Sequence, residues 1–227
     1  MTNLHPSYFF NLAGFEHRAI FDNCKFVWEV LPKISLYLKN FSLGKIDAPI
    51  PEGAFLLDPE TISIGKGTVV EPGCLIKGPC IIGQNCTIRH GAYIRGDVIT
   101  GNNCVIGHDT EVKNSLLLNE AQAAHFAYLG DVVLGNRTNL GAGTKCANLK
   151  FNHQKIILHI DGQRIETGLR KMGAIIGDGS QIGCNAVTNP GTLCGQDVQW
   201  YPCLNHGGFV PSKHVVRPDF KIVTAPI

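Results

Sequence analysis

A period of six most constrains what this chain can fold into. Stepping by six from Ile64 gives Val70, Ile76, Ile82, Ile88, Ile94, Thr100, Ile106, Val112 and Leu118, aliphatic at every step but Thr100. Four places further on within each hexad stand Thr68, Cys74, Cys80, Cys86, Ala92, Val98, Cys104 and Thr110, all small or short-branched, before Leu116 breaks the column. Just ahead of each of these runs a third column: Gly67, Gly73, Pro79, Asn85, Gly91, Asp97, Asn103, Asp109 and Ser115, every one a turn former. Three columns in phase over residues 64–118 exclude coincidence. Each hexad reads as one short strand and one tight corner, with the aliphatic residue pointing inward. Three hexads close a coil of 18 residues, and successive coils stack as parallel strands about 4.8 Å apart. The expected fold is mainly β, a hexapeptide-repeat parallel β-helix. Its spacing does not give its handedness.

The register then slips. Leu134, Leu140 and Cys146 repeat by six, but they are out of phase with Leu118. The reading places an irregularity in the intervening NEAQAAHFAYLGD. The new phase returns at Ile176, Ile182, Thr188 and Cys194, so residues 147–172 form an excursion from the coil. Within it, KIILHIDGQRIET has the signature of a β-hairpin turning at Asp161-Gly162. The excursion carries Lys150, Lys155, Arg164, Arg170 and Lys171 against Asp161 and Glu166. A basic loop of this kind is either a solvated hairpin or an anion clamp.

Residues 1–60 have a different pattern. Ile20, Cys24, Val27, Leu31, Ile34, Leu38 and Phe41 step by three and four, a helical stripe that Pro32 divides. Such a segment is expected to cap the open end of the coil. The β-helix is then expected over 61–205 and a C-terminal tail over 206–227.

Composition supports one globular unit. The 227 residues are 44% hydrophobic and 17% charged, which excludes a disordered chain. No apolar run approaches the roughly 18 residues of a membrane span. A net charge of +2 gives no broad field for nucleic acid. Nine cysteines, an odd number behind an N-terminus without signal-peptide features, point to a reducing cytoplasm rather than a disulfide framework.

A coil of 18 makes vertical neighbours predictable. Arg95 and Lys113 are 18 apart and should stack, and two adjacent cations repel unless an anion lies beside them. A phosphate is the simplest such ligand. His90 and His108 should stack as well, and His125 follows within the irregular stretch. Three histidines on a β-helix raise a zinc reading of the gamma carbonic anhydrase type, which IRGDV (Ile94 to Val98) faintly resembles. The paired histidines that family uses are absent, so no metal site is assigned. His125 is instead suited to accept a proton near neutral pH.

The stretch AAHFAYLGDVVLGNRTNLGAGTKCANLKFN strongly resembles the acetyltransferase domain of bacterial bifunctional N-acetylglucosamine-1-phosphate uridyltransferase/glucosamine-1-phosphate N-acetyltransferases. It is closer still to the C-terminal domains of archaeal sugar-1-phosphate nucleotidylyltransferases, which share a stretch similar to GLRKMGAIIGDG (Gly168 to Gly179). The resemblance runs from about Arg95 to Gly195. It implies a left-handed β-helix, a homotrimer with sites between neighbouring solenoids, and acetyl-coenzyme A as co-substrate, with no metal needed for acetyl transfer. By that resemblance His125 matches the general base, and Arg95 and Lys113 match the pair that holds a sugar phosphate. Tyr128, Asn139 and Asn148 match sugar-contacting positions. Ala142 and Cys184 fall where coenzyme A is contacted, the latter at a position usually held by serine. Two departures stand out. Leu149 replaces a tyrosine, and Gln154 stands where lysine is usual, with Lys155 next to it. The nucleotidyltransferase domain of the fused relatives has no counterpart in residues 1–60. The implied function is N-acetylation of a hexosamine 1-phosphate, with a non-catalytic sugar-nucleotide-binding solenoid, and after it a gamma carbonic anhydrase-like zinc enzyme, as the alternatives.

Overall fold

A computed structural model describes residues 2–219. Three parallel sheets of eight strands each form a three-sided coil. The first face runs from Ile62–Ile64 to Phe209–Val210, the second from Phe55–Leu57 to Asn205–His206, and the third from Val69–Val70 to Val215–Val216. Each coil visits the first, third and second faces in that order. Strands are two to four residues long, because every hexad spends the rest of its length on a corner. The inward column is sealed: Ile64, Ile76, Ile82, Ile88, Ile94 and Ile106 are each at most 1% exposed. The corners bear out the turn column, with Gly67, Gly73, Asn85, Gly91, Asp97, Asn103 and Asp109 all at positive φ. Glycine, asparagine and aspartate tolerate that region better than other residues.

The cysteines of the repeat are packing residues. Cys74, Cys80, Cys86, Cys104, Cys146 and Cys194 are buried in the coil core. Burial pushes the Cys80 thiol up to about 12 and that of Cys146 up to about 11, so both stay protonated. Cys24 is buried beneath the N-terminal segment, whereas Cys184 and Cys203 are exposed.

The register differs from expectation in one respect. Leu117, not Leu118, faces the coil interior, and Leu118 packs outside it. Two hexads are each one residue short, Val112 to Leu117 and Leu129 to Leu134. Pairing drops accordingly to 17 residues, as in Val105 with Gln122 and Tyr128 with Lys145. The stretch NEAQAAHFAYLGD is therefore regular, with Ala121, Ala123, Ala127 and Leu129 turned inward. His125 does not sit at a break in the repeat.

The coil also extends past the expected 61–205. Ile46 bridges to Ile64, and Phe55–Leu57 pairs with Leu75–Lys77. At the far end Phe209–Val210 and Val215–Val216 continue two faces through residues expected to form a tail. Residues 220–227 of that tail lie outside the described residues.

The N-terminal segment does not cap the open end. It lies as a strap along the first face, where Phe9, Phe10, Trp28, Val30, Leu31, Ile34 and Leu38 cover Ile81, Ile99, Leu116, Val133, Ile175 and Leu193. The reason is the composition of that face: its outward residues are aliphatic, and fully covering each contributes about 1.5–3 kcal/mol. The stripe is not two α-helices either. Pro32 lies inside a 3-10 helix, Val27–Lys33, followed by the short α-helix Ile34–Lys39. The excursion forms the expected hairpin, Ile157–Ile160 against Gln163–Glu166, with Asp161 and Gly162 both at positive φ. Rather than reaching away, it folds back, burying Leu158 and Ile160 beside the strap.

Candidate functional site

The second face carries most of the predicted polar residues. Its strands Tyr93–Arg95, Glu111–Lys113, Tyr128–Gly130 and Lys145–Cys146 lie side by side. Glu111 pairs with Tyr93 on one side and Tyr128 on the other, and Val112 pairs with Ile94, which sets Lys113 beside Arg95. The predicted stacking of the two cations is present. Their repulsion is relieved within the chain: the Arg95 guanidinium meets Glu111 at 2.5 Å, and the Lys113 ammonium meets Asp131 at 3.2 Å. The need for an external anion therefore does not follow from stacking alone. The Arg95 side chain remains 41% exposed and Lys113 19%.

Asp131 is the residue that sequence reasoning missed. It is 5% exposed and accepts hydrogen bonds from Lys113 Nζ, Asn114 Nδ2 and Asn148 Nδ2. It thus orients two predicted substrate-binding side chains at once. Gly130 was missed as well. A Cβ there would lie 2.6 Å from both the Tyr128 hydroxyl and Asn148 Nδ2, so both side chains pack over the bare backbone. Burial raises the Tyr128 phenol above its ordinary value, reinforced by Glu111 and Asp131 and opposed by Arg95 and Asn148, so it is a hydroxyl donor at neutral pH. The signal for Asp131 was its place in YLGD, three residues beyond Tyr128. No periodic argument singles it out.

His125 lies at the corner where the third face turns into the second. One column of that corner is stacked from coil to coil: His108 pairs with His125, Gly143 N–H donates to the His125 carbonyl, and Asn185 N–H donates to the Ala142 carbonyl. His125, Ala142 and Cys184 consequently stand in line on three successive coils. The side chains beyond His125 are small, which leaves an open strip. Ala142 N–H has no acceptor among the described residues. On the other side, His90 and His108 stack with ring centres 5.7 Å apart. Each places Nδ1 near a carbonyl of the preceding coil, at 2.8 and 3.1 Å. Among the described residues no group of three His, Cys, Asp or Glu is arranged to hold a metal ion.

Two predicted residues stand apart. Asn139 lies on the third face between Gln122 and Gln181, across the corner from Tyr128. Lys155 is exposed on the excursion, where its carbonyl accepts from Lys150 Nζ at 3.4 Å, and no contact ties it to Arg95 or Lys113 among the described residues. Leu149 bridges to Lys171 and so closes the neck of the excursion.

Comparisons with known proteins fall on this same region. The family model described as the GMPPB C-terminal domain matches residues 76–166. A bifunctional sugar-1-phosphate nucleotidylyltransferase/acetyltransferase of Sulfurisphaera tokodaii is 38% identical over 92 residues, 40% of this chain and 23% of that protein. The bifunctional protein GlmU of Methanococcus maripaludis is 29% identical over 214 residues, 94% of this chain and 51% of its own. The chain thus spans about half, or less, of these relatives. A solved UDP-N-acetylglucosamine acyltransferase of Francisella novicida shares the fold, with a TM-score of 0.55 over 75% of this chain and 66% of that one, at 16% identity. The coil is therefore a left-handed parallel β-helix, the fold of that acyltransferase, and its central coils are similar in sequence to sugar-1-phosphate nucleotidylyltransferase/acetyltransferase proteins.

Proposed function

We propose that the chain is an acetyl-coenzyme A-dependent N-acetyltransferase acting on a hexosamine 1-phosphate, working in the cytoplasm as a homotrimer. The observation that carries this reading is the corner column. It sets the imidazole of His125 in line with the small residues Ala142 and Cys184, one strand away from the cations and hydroxyl of the second face. An amine must be neutral to attack a thioester, and His125 accepts its proton, an effect of about 10² to 10⁴ in rate. The unpaired N–H of Ala142 stands one coil from His125, suited to receive the oxyanion. Arg95 and Lys113 exchange part of their pairing with Glu111 and Asp131 for the sugar phosphate. Tyr128 and Asn148 orient the ring. We place acetyl-coenzyme A along the corner column from Ala142 to Cys184.

Asn139 and Lys155 lie away from this cluster within one chain. A trimer resolves that separation if a neighbouring solenoid brings its third face or its excursion to the site. The deciding experiment measures coenzyme A release from acetyl-coenzyme A over a panel of amino-sugar 1-phosphates. Turnover with at least one acceptor is expected, falling about 10² to 10⁴-fold in His125→Ala. Absence of turnover with every acceptor refutes the activity, and an undiminished His125→Ala refutes the base.

A further inference from the structure

Phe126 occupies a backbone position that its side chain disfavours. The corner between the third and second faces places one residue per coil at positive φ: Gly73, Gly91, Asp109, Phe126, Gly143, Asn185 and Cys203. Phe126, at φ 51°, is the bulky one in that series. A large side chain in the left-handed region is strained, and such outliers persist where the surroundings or a function hold them. The surroundings give little in return here. The Phe126 side chain is 52% exposed and belongs to neither hydrophobic cluster. Its ring stands edge-on to His108 at 5.1 Å, and next to it on the following coil is Gly143, with no side chain. One side of the ring is therefore braced by His108, while on the other the neighbouring corner residue is Gly143, whose carbonyl accepts from Lys145 Nζ at 2.7 Å, and the His125 ring lies 6.4 Å away.

We infer that Phe126 is a ligand-stacking residue that holds the face of a ligand ring against the corner beside His125. The inference rests on the proposed acetyltransferase reading and adds to it a specificity element. The ring chemistry could come from the pyranose of the acceptor, which presents an apolar C–H face, or from a nucleobase of coenzyme A or of a nucleotide-linked sugar. His108 and His90 continue the aromatic strip along the corner for a longer ligand. Stacking of this kind changes binding about tenfold or more when the aromatic ring is removed.

The test is Phe126→Asn, which installs the residue type that the same corner carries at Asn185. Thermal midpoint, sedimentation and kinetics are measured together. The expected midpoint is unchanged or raised by about 2–4 °C, since asparagine accepts positive φ. The expected KM rises about tenfold for one substrate, with Phe126→Tyr restoring it. A rise confined to the amino-sugar 1-phosphate identifies the pyranose, and a rise confined to acetyl-coenzyme A identifies its base. Should the wild type turn over nothing, the activity fails separately. Calorimetric binding of coenzyme A, glucosamine 1-phosphate and UDP-N-acetylglucosamine to wild type and variant then decides the stacking role. A lowered midpoint, a changed oligomeric mass, unchanged binding of all three, or no binding to the wild type overturns the inference.

Discussion

At the scale of single residues, Gly130 is the most sensitive point of the second face. Adding a methyl group there displaces both the Tyr128 hydroxyl and the Asn148 amide, whose atoms already lie where the Cβ would contact them. Gly130→Ala is expected to lower kcat/KM about 10²-fold, as misplacement on the ångström scale does, and to cost about 1–3 kcal/mol in denaturant unfolding, because the displaced Asn148 amide is a donor to buried Asp131. Thiol chemistry gives an independent reading of the coil. Of nine cysteines, Cys184 and Cys203 should react with a thiol reagent in the native protein, and the other seven only after unfolding. Saturating coenzyme A should slow labelling of Cys184. Much at this scale was legible from the hexads: six cysteines lie in the core because they share columns with small or aliphatic residues. Asp131 and Gly130 were not legible from the period. Their importance comes from contacts made across coils by side chains of different strands, and no one-dimensional period encodes that.

At the scale of elements, the strap is held by a polar anchor as well as by its apolar face. Asp178, 5% exposed, accepts hydrogen bonds from Asn11 N–H, Asn136 N–H and Asn136 Nδ2, at 2.7 to 3.0 Å. Asp178→Ala leaves buried donors unpaired and is expected to cost about 2–4 kcal/mol, measured by denaturant unfolding. Exposure of the aliphatic first face should then appear as increased binding of a hydrophobic dye. The strap also carries a titrating group. Burial holds the His17 imidazole below its ordinary value of 6.5, opposed by Glu16, and its Nδ1 lies 3.1 Å from the Tyr37 hydroxyl. The unfolded chain therefore binds more protons than the folded one once pH falls to about 6.5. The His17 contribution to stability should be flat above that pH and decline below it, down to the lower folded value. His17→Gln should flatten the decline. The helical stripe showed that these residues bury one side. It could not show which surface they cover, because an aliphatic outer face on a sheet looks in sequence like one more hexad position.

At the scale of the whole molecule, the period gives the three-sided coil but neither its hand nor the strap across its first face, and the two short hexads show how it hides its own breaks. Losing one residue from a hexad changes the phase but leaves the corner chemistry intact. The break therefore becomes visible in the sequence only after the next aliphatic column has formed. The first face is covered by the strap and the hairpin, so a trimer has the second and third faces left to use. Sedimentation is expected to give three times 24.6 kDa. If a neighbouring solenoid supplies Asn139 to the site of His125, mixed trimers of His125→Ala and Asn139→Ala chains should regain about a quarter of the wild-type rate, the share of interfaces that pair two intact halves.

The strap has one more consequence. A bare solenoid couples each coil to its two neighbours alone, so its ends can melt while its middle stays folded. Residues 4–38 share one hydrophobic cluster with outward side chains from Ile81 to Leu193, linking distant coils through a single segment. That linkage turns a chain of locally coupled units into one that must open together, and a steep single transition is the thermal behaviour it imposes.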